Sequence, residues 1–186
     1  MSTFRSHLLA AVGALGVLVA CTGSGEAPQE PSGYGLGRPP TEAQVKAWDI
    51  DVSPTGEGLP PGQGTVAKGA EVFAAKCASC HGSTGVEGPM DRLVGGRGTL
   101  KTERPIKTVG SYWPYATTLY DYIRRAMPYN APQSLKPDEV YAVVAWILHR
   151  NGIIQEDLVL NATTLPGVQM PNHSGFVRDP RPDVPK

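Results

Sequence analysis

Three cysteines are too few to staple a chain of 186 residues, so no disulfide framework holds this protein together. A second CxxC pair and an HxxxH pair are both missing, which excludes the familiar four-ligand zinc sites. Charge of neither sign is in excess, 17 Lys and Arg standing against 17 Asp and Glu, and a chain without a global basic field is not built to bind nucleic acid. The GxxxxGK[ST] arrangement that cradles phosphate is absent. No apolar run reaches the roughly 20 residues that cross a bilayer as a helix. The longest, Leu8 to Ala20, follows Arg5 and His7 and ends in small residues, which is the layout of an export signal.

What the chain has in quantity is glycine and proline, 22 and 18 residues, concentrated between a few helical stretches. Much of it must therefore be loop that wraps something. Among these loops lies the densest chemistry of the sequence, Cys77-Ala78-Ser79-Cys80-His81. Two thiols in one turn can add to the two vinyl groups of a haem, and the next residue offers an imidazole to the iron, so the pentapeptide predicts covalent attachment of one haem c. A thioredoxin-like dithiol would sit in a βαβ pattern, whereas the flanks here are helical in pattern.

Three core helices are expected around this site. Val66 to Lys76 places Val66, Gly69, Ala70, Phe73 and Cys77 on one face. Gly69 costs about 1 kcal/mol relative to Ala inside a helix, so its presence predicts close approach of a second helix. Ala116 to Met127 carries Leu119, Tyr122, Ile123, Ala126 and Met127 at helical spacing, and Pro128 ends it. Asp121 and Arg125 stand at i, i+4 for an ion pair. Pro137 to Arg150 begins with Pro137, Asp138 and Glu139, ends at Asn151-Gly152, and has so little polar surface that it should be buried against the first helix. A shorter helix is expected over Thr41 to Trp48, with Thr41 as its cap. The punctuated segments Asp49 to Gly64 and those beyond Ile154 read as straps, and Gly82 to Gly98 as a glycine-rich loop passing close to the haem edge.

His81 takes one axial position on iron. The sixth position decides function, because a second strong ligand makes an electron carrier while an open position admits small molecules, as in a haem enzyme or gas sensor. Met127 is the first candidate, since an inward face, a helix end and an enforced turn would present its sulfur; Met170 is the alternative. Met90, His149 and His173 are the remaining options, His149 being explained simply by the helix dipole. Arg97, Trp113 and Tyr115 are candidate partners for the haem propionates, and each is equally well explained by packing or surface charge.

At the amino terminus Leu18-Val19-Ala20-Cys21 has the form of a lipoprotein processing box, so Cys21 is expected to carry lipid. Residues 1–21 are then the signal, 22–40 a Gly- and Pro-rich flexible tether, 41–178 the haem domain with its wrapping extensions and 179–186 a mobile tail. The expected location is the periplasmic face of a bacterial membrane.

These residues together resemble a bacterial class I cytochrome c: Gly69 and Phe73 ahead of Cys77-Ala78-Ser79-Cys80-His81, Met127 followed by Pro128, and a terminal helix with Trp146. More narrowly, the chain resembles the monohaem cytochrome subunits associated with molybdenum-dependent sulfite dehydrogenases and the related cytochrome part of the sulfur-oxidation dehydrogenase. The segments that carry this are Trp48-Asp49-Ile50-Asp51-Val52, Gly58-Leu59-Pro60-Pro61-Gly62, Val109 to Tyr115, Asp121 to Pro128, Asp138 to Ala142 and Met170-Pro171-Asn172, within roughly residues 36 to 178. The resemblance implies an all-α cytochrome c fold with long irregular straps. It also implies no oxidation chemistry of the chain's own on substrate, with electrons received singly from the molybdenum protein and passed to another c-type cytochrome or a terminal oxidase.

Overall fold

The computed structural model describes Tyr34 and residues 36–183. The expected signal 1–21, the expected lipidation at Cys21 and most of the expected tether lie outside the described residues. Contacts divide the chain between Pro40 and Thr41, and the unit from Thr41 onward carries every helix and strand of the described residues.

Five helices follow one another in this unit: α1 Glu42–Trp48, α2 Val66–Lys76, α3 Ala78–His81, α4 Ala116–Ala126 and α5 Pro137–Arg150. Two of the three longer ones, α2 and α5, start where the sequence supplies a start, whereas α4 begins after Tyr115 with no side-chain cap. The Thr65 hydroxyl accepts from the Lys68 N–H at 3.2 Å, and Pro137 opens α5 while the Glu139 carboxylate reaches back to the Lys136 N–H at 2.9 Å. α1 is closed by a reciprocal pair, Gln44 N–H to Thr41 Oγ1 at 3.3 Å and Thr41 N–H to Gln44 Oε1 at 2.9 Å, and buries none of its residues.

The core is the crossing of α2 over α5. Every residue of α5 from Val140 to Leu148 is buried, as the near-absence of polar side chains there anticipated. Gly69 is the point of contact: a Cβ there would stand 2.0 Å from the Ala142 carbonyl oxygen and 2.7 Å from Trp146 Cβ. One turn further, Phe73 stacks on Trp146 with ring centroids 3.9 Å apart. α4 lies on another side of α5, where the buried rings of Tyr120 and Tyr141 approach to 4.4 Å. α4 ends one residue earlier than its periodicity suggests, with Met127 as its C-terminal cap.

The straps are more ordered than their composition implies. Asp121, on α4, is buried and accepts the Val52 N–H at 2.9 Å while pairing with Arg125, so the expected ion pair also serves as an anchor for the chain. Arg124 donates to the Ile50 carbonyl at 2.9 Å, Thr117 to Pro54 at 3.0 Å, and the Tyr141 hydroxyl to Pro60 at 2.9 Å. A strap with so few apolar residues is thus held through its backbone carbonyls. Its end, β1 Gln63–Gly64, pairs antiparallel with β2 Leu160–Asn161, a ladder that no alternation in the sequence announces. From β2 onward the second strap buries Leu160, Leu165 and Met170, passes through a 3₁₀ turn at Leu165–Gly167, and closes on Tyr112 through Asn172 and Phe176.

Candidate haem-binding site

α2 delivers Cys77 to the site. The Cys77 N–H still bonds to Phe73 O at 2.9 Å, and the chain then makes one further turn, with Cys80 N–H and His81 N–H both reaching Cys77 O at 3.1 and 3.0 Å. That turn, α3, is stopped by Gly82 at φ +77°, a backbone angle that suits glycine. Neither cysteine is in a disulfide, and the two stand three residues apart on one helical turn. Cys77 is half-buried against the core and Cys80 is exposed. Burial, with Cys80 adding to it, pushes the Cys77 thiol up to about 11, so it stays protonated at neutral pH.

His81 is aimed by the loop that follows it. Its Nδ1 lies 2.8 Å from the Asp91 carbonyl oxygen. A carbonyl only accepts, so Nδ1 carries the hydrogen and the lone pair is left on Nε2, the arrangement that a metal-binding imidazole requires. The loop is pressed onto the attachment turn: a Cβ on Gly88 would stand 2.1 Å from Cys80 O and 2.4 Å from His81 C. Glu87 holds its shape by accepting from the Ser83 hydroxyl at 3.0 Å, the Thr84 N–H at 3.2 Å and the Thr84 hydroxyl. These donors, Thr84 foremost, lower the Glu87 carboxyl to about 2.

Met127 sits at the end of α4, half-buried and packed on the core. Met90 is 59% exposed, and Met170 is buried at 4% among the core side chains under the second strap. His149 Nδ1 faces Ile154 O at 3.3 Å and His173 Nδ1 faces Pro114 O at 3.3 Å. Arg97 reaches the Asn151 carbonyl at 3.4 Å, Trp113 meets Tyr122 edge-on at 5.7 Å, and Tyr115 meets His173 edge-on at 5.1 Å. Tyr115 and His173 also line a cleft of about 420 Å³ between the straps and the start of α4, which includes none of Cys77, Cys80, His81 and Met127.

Three supporting residues were not legible as such. Asp91 acts through its backbone, Glu87 through hydrogen bonds inside a loop, and Asn151, read only as a helix stop, is a buried hub. Its Oδ1 accepts from the Gly95 N–H at 3.0 Å, while Nδ2 donates to Leu93 O at 3.2 Å and Ile147 O at 2.9 Å. An amide side chain just past the apolar run Val140 to Leu148 was the available signal.

Two thiols on one turn and an imidazole with its Nε2 lone pair free are a donor set that fits haem c, and they define a c-type cytochrome. Cys77 and Cys80 would carry the thioether bonds and His81 one axial bond. Among the described residues no cluster of three or more His, Cys, Asp or Glu could hold a bare metal ion.

Comparisons place the chain more narrowly. Residues 64–147 match the family described as cytochrome c oxidase, cbb3-type, subunit III. A chain in the crystal structure of the sulfane dehydrogenase SoxCD from Paracoccus pantotrophus is 45% identical, with a TM-score of 0.73; the match covers 81% of the present chain and 74% of that one. A search of curated protein sequences gives no match. The chain belongs to the class I c-type cytochromes, in the family of sulfur-oxidation dehydrogenase cytochromes. It binds haem c covalently and takes part in electron transfer.

Proposed function

We propose that this cytochrome carries single electrons from a periplasmic molybdenum sulfite dehydrogenase to a downstream c-type cytochrome or terminal oxidase, and performs no chemistry on the sulfur substrate itself. The observation that carries the reading is the 45% identity, sustained over 81% of the chain, to a chain of the sulfane dehydrogenase SoxCD. Likeness of that extent includes much more than the haem-attachment core.

When bound, the haem supplies an iron that gains or loses one electron. The chain's residues set how. His81 would hold the iron through Nε2, its ring fixed by the Asp91 carbonyl, and Met127 would hold it through a sulfur at the end of α4. A site closed on both sides changes charge with little movement, which suits electron transfer. Arg97, Trp113 and Tyr115 stand as the propionate partners. Cys21 carries a lipid that tethers the domain to the periplasmic face of a membrane.

Two measurements test this. Reduction of the purified holoprotein by a sulfite dehydrogenase supplied with sulfite is expected to be complete within the mixing experiment, while the holoprotein alone leaves sulfite unoxidised; no reduction would overturn the donor assignment. Met127→Ala is expected to abolish the sulfur-to-iron charge-transfer band at the red end of the oxidised spectrum and to admit carbon monoxide. An unchanged band would transfer the ligand role to another residue, Met170 being the first to try.

A second reading has an observation of its own: residues 64–147 match a family named for a cbb3-type oxidase subunit. On that reading the protein is a membrane-anchored shuttle to an oxidase with no link to sulfur. Rapid oxidation by a cbb3-type oxidase, combined with no reduction by the sulfite dehydrogenase, would select it.

A further inference from the structure

Among the described residues the buried polar side chains are Thr108, Ser111, Thr117, Asp121 and Asn151. Thr117 and Asp121 hold the first strap. Thr108 and Asn151 converge instead on the loop that orients His81, and Ser111 braces Thr108 by accepting its N–H at 2.9 Å. Asn151 is matched to its surroundings as an amide. Its oxygen faces one N–H, that of Gly95 at 3.0 Å, and its nitrogen faces two carbonyls, Leu93 O at 3.2 Å and Ile147 O at 2.9 Å, so the partners fix which way the group points. A leucine of the same shape would offer these three backbone groups nothing. Gly110 backs the amide, since a Cβ there would stand 2.1 Å from Asn151 Oδ1.

These bonds bracket Asp91. On one side of it the Met90 N–H bonds to Cys80 O at 2.9 Å, within the attachment turn. On the other side Leu93 N–H and Val94 N–H reach Gly85 O at 2.8 and 3.1 Å, while Asn151 holds Leu93 O and Gly95 N–H and the Thr108 hydroxyl holds Gly95 O at 2.6 Å. The Asp91 carbonyl that faces His81 Nδ1 at 2.8 Å is therefore placed between two pins. The second of them is tied to the end of α5 by the Asn151 side chain.

We propose that Asn151 is a positioning residue for the axial ligand: by fixing Leu93 and Gly95 it holds the Asp91 carbonyl against His81, and so sets how strongly that imidazole donates to iron. The inference rests on His81 as axial ligand in the reading above, and adds a residue past the end of α5 that tunes it. A carbonyl acceptor on Nδ1 makes the imidazole more basic, and a more basic ligand favours the oxidised, more positive iron. Losing Asn151 therefore raises the reduction potential. A general loosening of the fold acts the other way, because water entering the site favours the charged, oxidised state. Direction alone separates the two effects.

The test uses the holoprotein with Asn151→Leu and, as a perturbation that keeps the amide but displaces it, Gly110→Ala. Leu165→Ala, in the second strap, weakens the core away from the loop and serves as the comparison. In a spectroelectrochemical titration the equilibrium constant for reduction is expected to rise about threefold or more in both loop variants, and not to rise in Leu165→Ala. In NMR spectra of the reduced protein the His81 Nδ1 proton is expected to exchange with solvent about tenfold faster or more in the loop variants, and within about twofold of the unmodified rate in Leu165→Ala. A potential that is unchanged or lowered in any loop variant that carries haem would overturn the proposal. So would unchanged Nδ1 exchange there, or an equal rise of potential in Leu165→Ala. Should Asn151→Leu fail to take up haem, Gly110→Ala decides by the same two readouts. His81 ring protons that lack the large upfield shift a haem imposes on its axial imidazole, in the unmodified protein, would remove His81 from the iron, a failure of the earlier reading distinct from all of these.

Discussion

Glu87 shows how one residue, distant from any reacting atom, governs a haem site. Its carboxylate is fully used by donors of its own loop, and that loop presents the Asp91 carbonyl to His81. Those donors hold the folded-state carboxyl near 2, whereas an unfolded glutamate titrates at about 4.3. Because the folded value is the lower one, the stabilising effect is present above about pH 4.3 and is lost as pH falls toward 2. Glu87→Gln keeps the side chain's shape but removes the charge that those donors favour. Thermal midpoints measured from pH 5 to 2 should therefore drop less steeply in the variant than in the unmodified holoprotein. Parallel curves would mean that the loop does not depend on the carboxylate. Nothing in the sequence marks Glu87, since an acid in a Ser-, Thr- and Gly-rich loop reads as solvated.

Helix boundaries were legible because punctuation and periodicity agreed. Pro128 stops α4, Pro137 opens α5, and the apolar run Val140 to Leu148 could only be buried. Gly69 was legible for the opposite reason: it is a poor helix former placed where an alanine would serve better. Intrinsic propensity predicts that Gly69→Ala stabilises α2 by about 1 kcal/mol. The crossing predicts the reverse, since the new Cβ would fall 2.0 Å from the Ala142 carbonyl, and overpacking of this kind costs about 1–3 kcal/mol. A lowered denaturation midpoint is expected, and a raised one would show that α2 and α5 can separate without loss. The β1–β2 ladder escaped detection because two-residue strands have no alternation to read, and their pairing joins segments almost a hundred positions apart.

At the scale of the whole molecule, the straps complete a core that the three long helices leave open. Leu160 and Leu165 are fully buried and Met170 nearly so, and removing three such side chains costs about 6 kcal/mol or more, comparable to the entire stability of a small domain. A chain ending after Asp157 should fail to fold and incorporate haem, as scored by haem staining and a thermal melt. One ending after Val177 loses, among the described residues, only exposed ones and should melt within a few degrees of the full chain. Folding of the shorter chain would refute the role given to the second strap. Composition disclosed that these segments were loops, but not that backbone carbonyls and a few buried apolar residues fix them. The ladder that joins the two straps has a consequence for the architecture of longer proteins. Gly64 lies opposite Leu160, so everything between them is a cassette whose entry and exit stand on adjacent strands, about 5 Å apart. Such a cassette could be moved into another polypeptide only together with the straps that frame its doorway, since Leu160, Leu165 and Met170 complete its core.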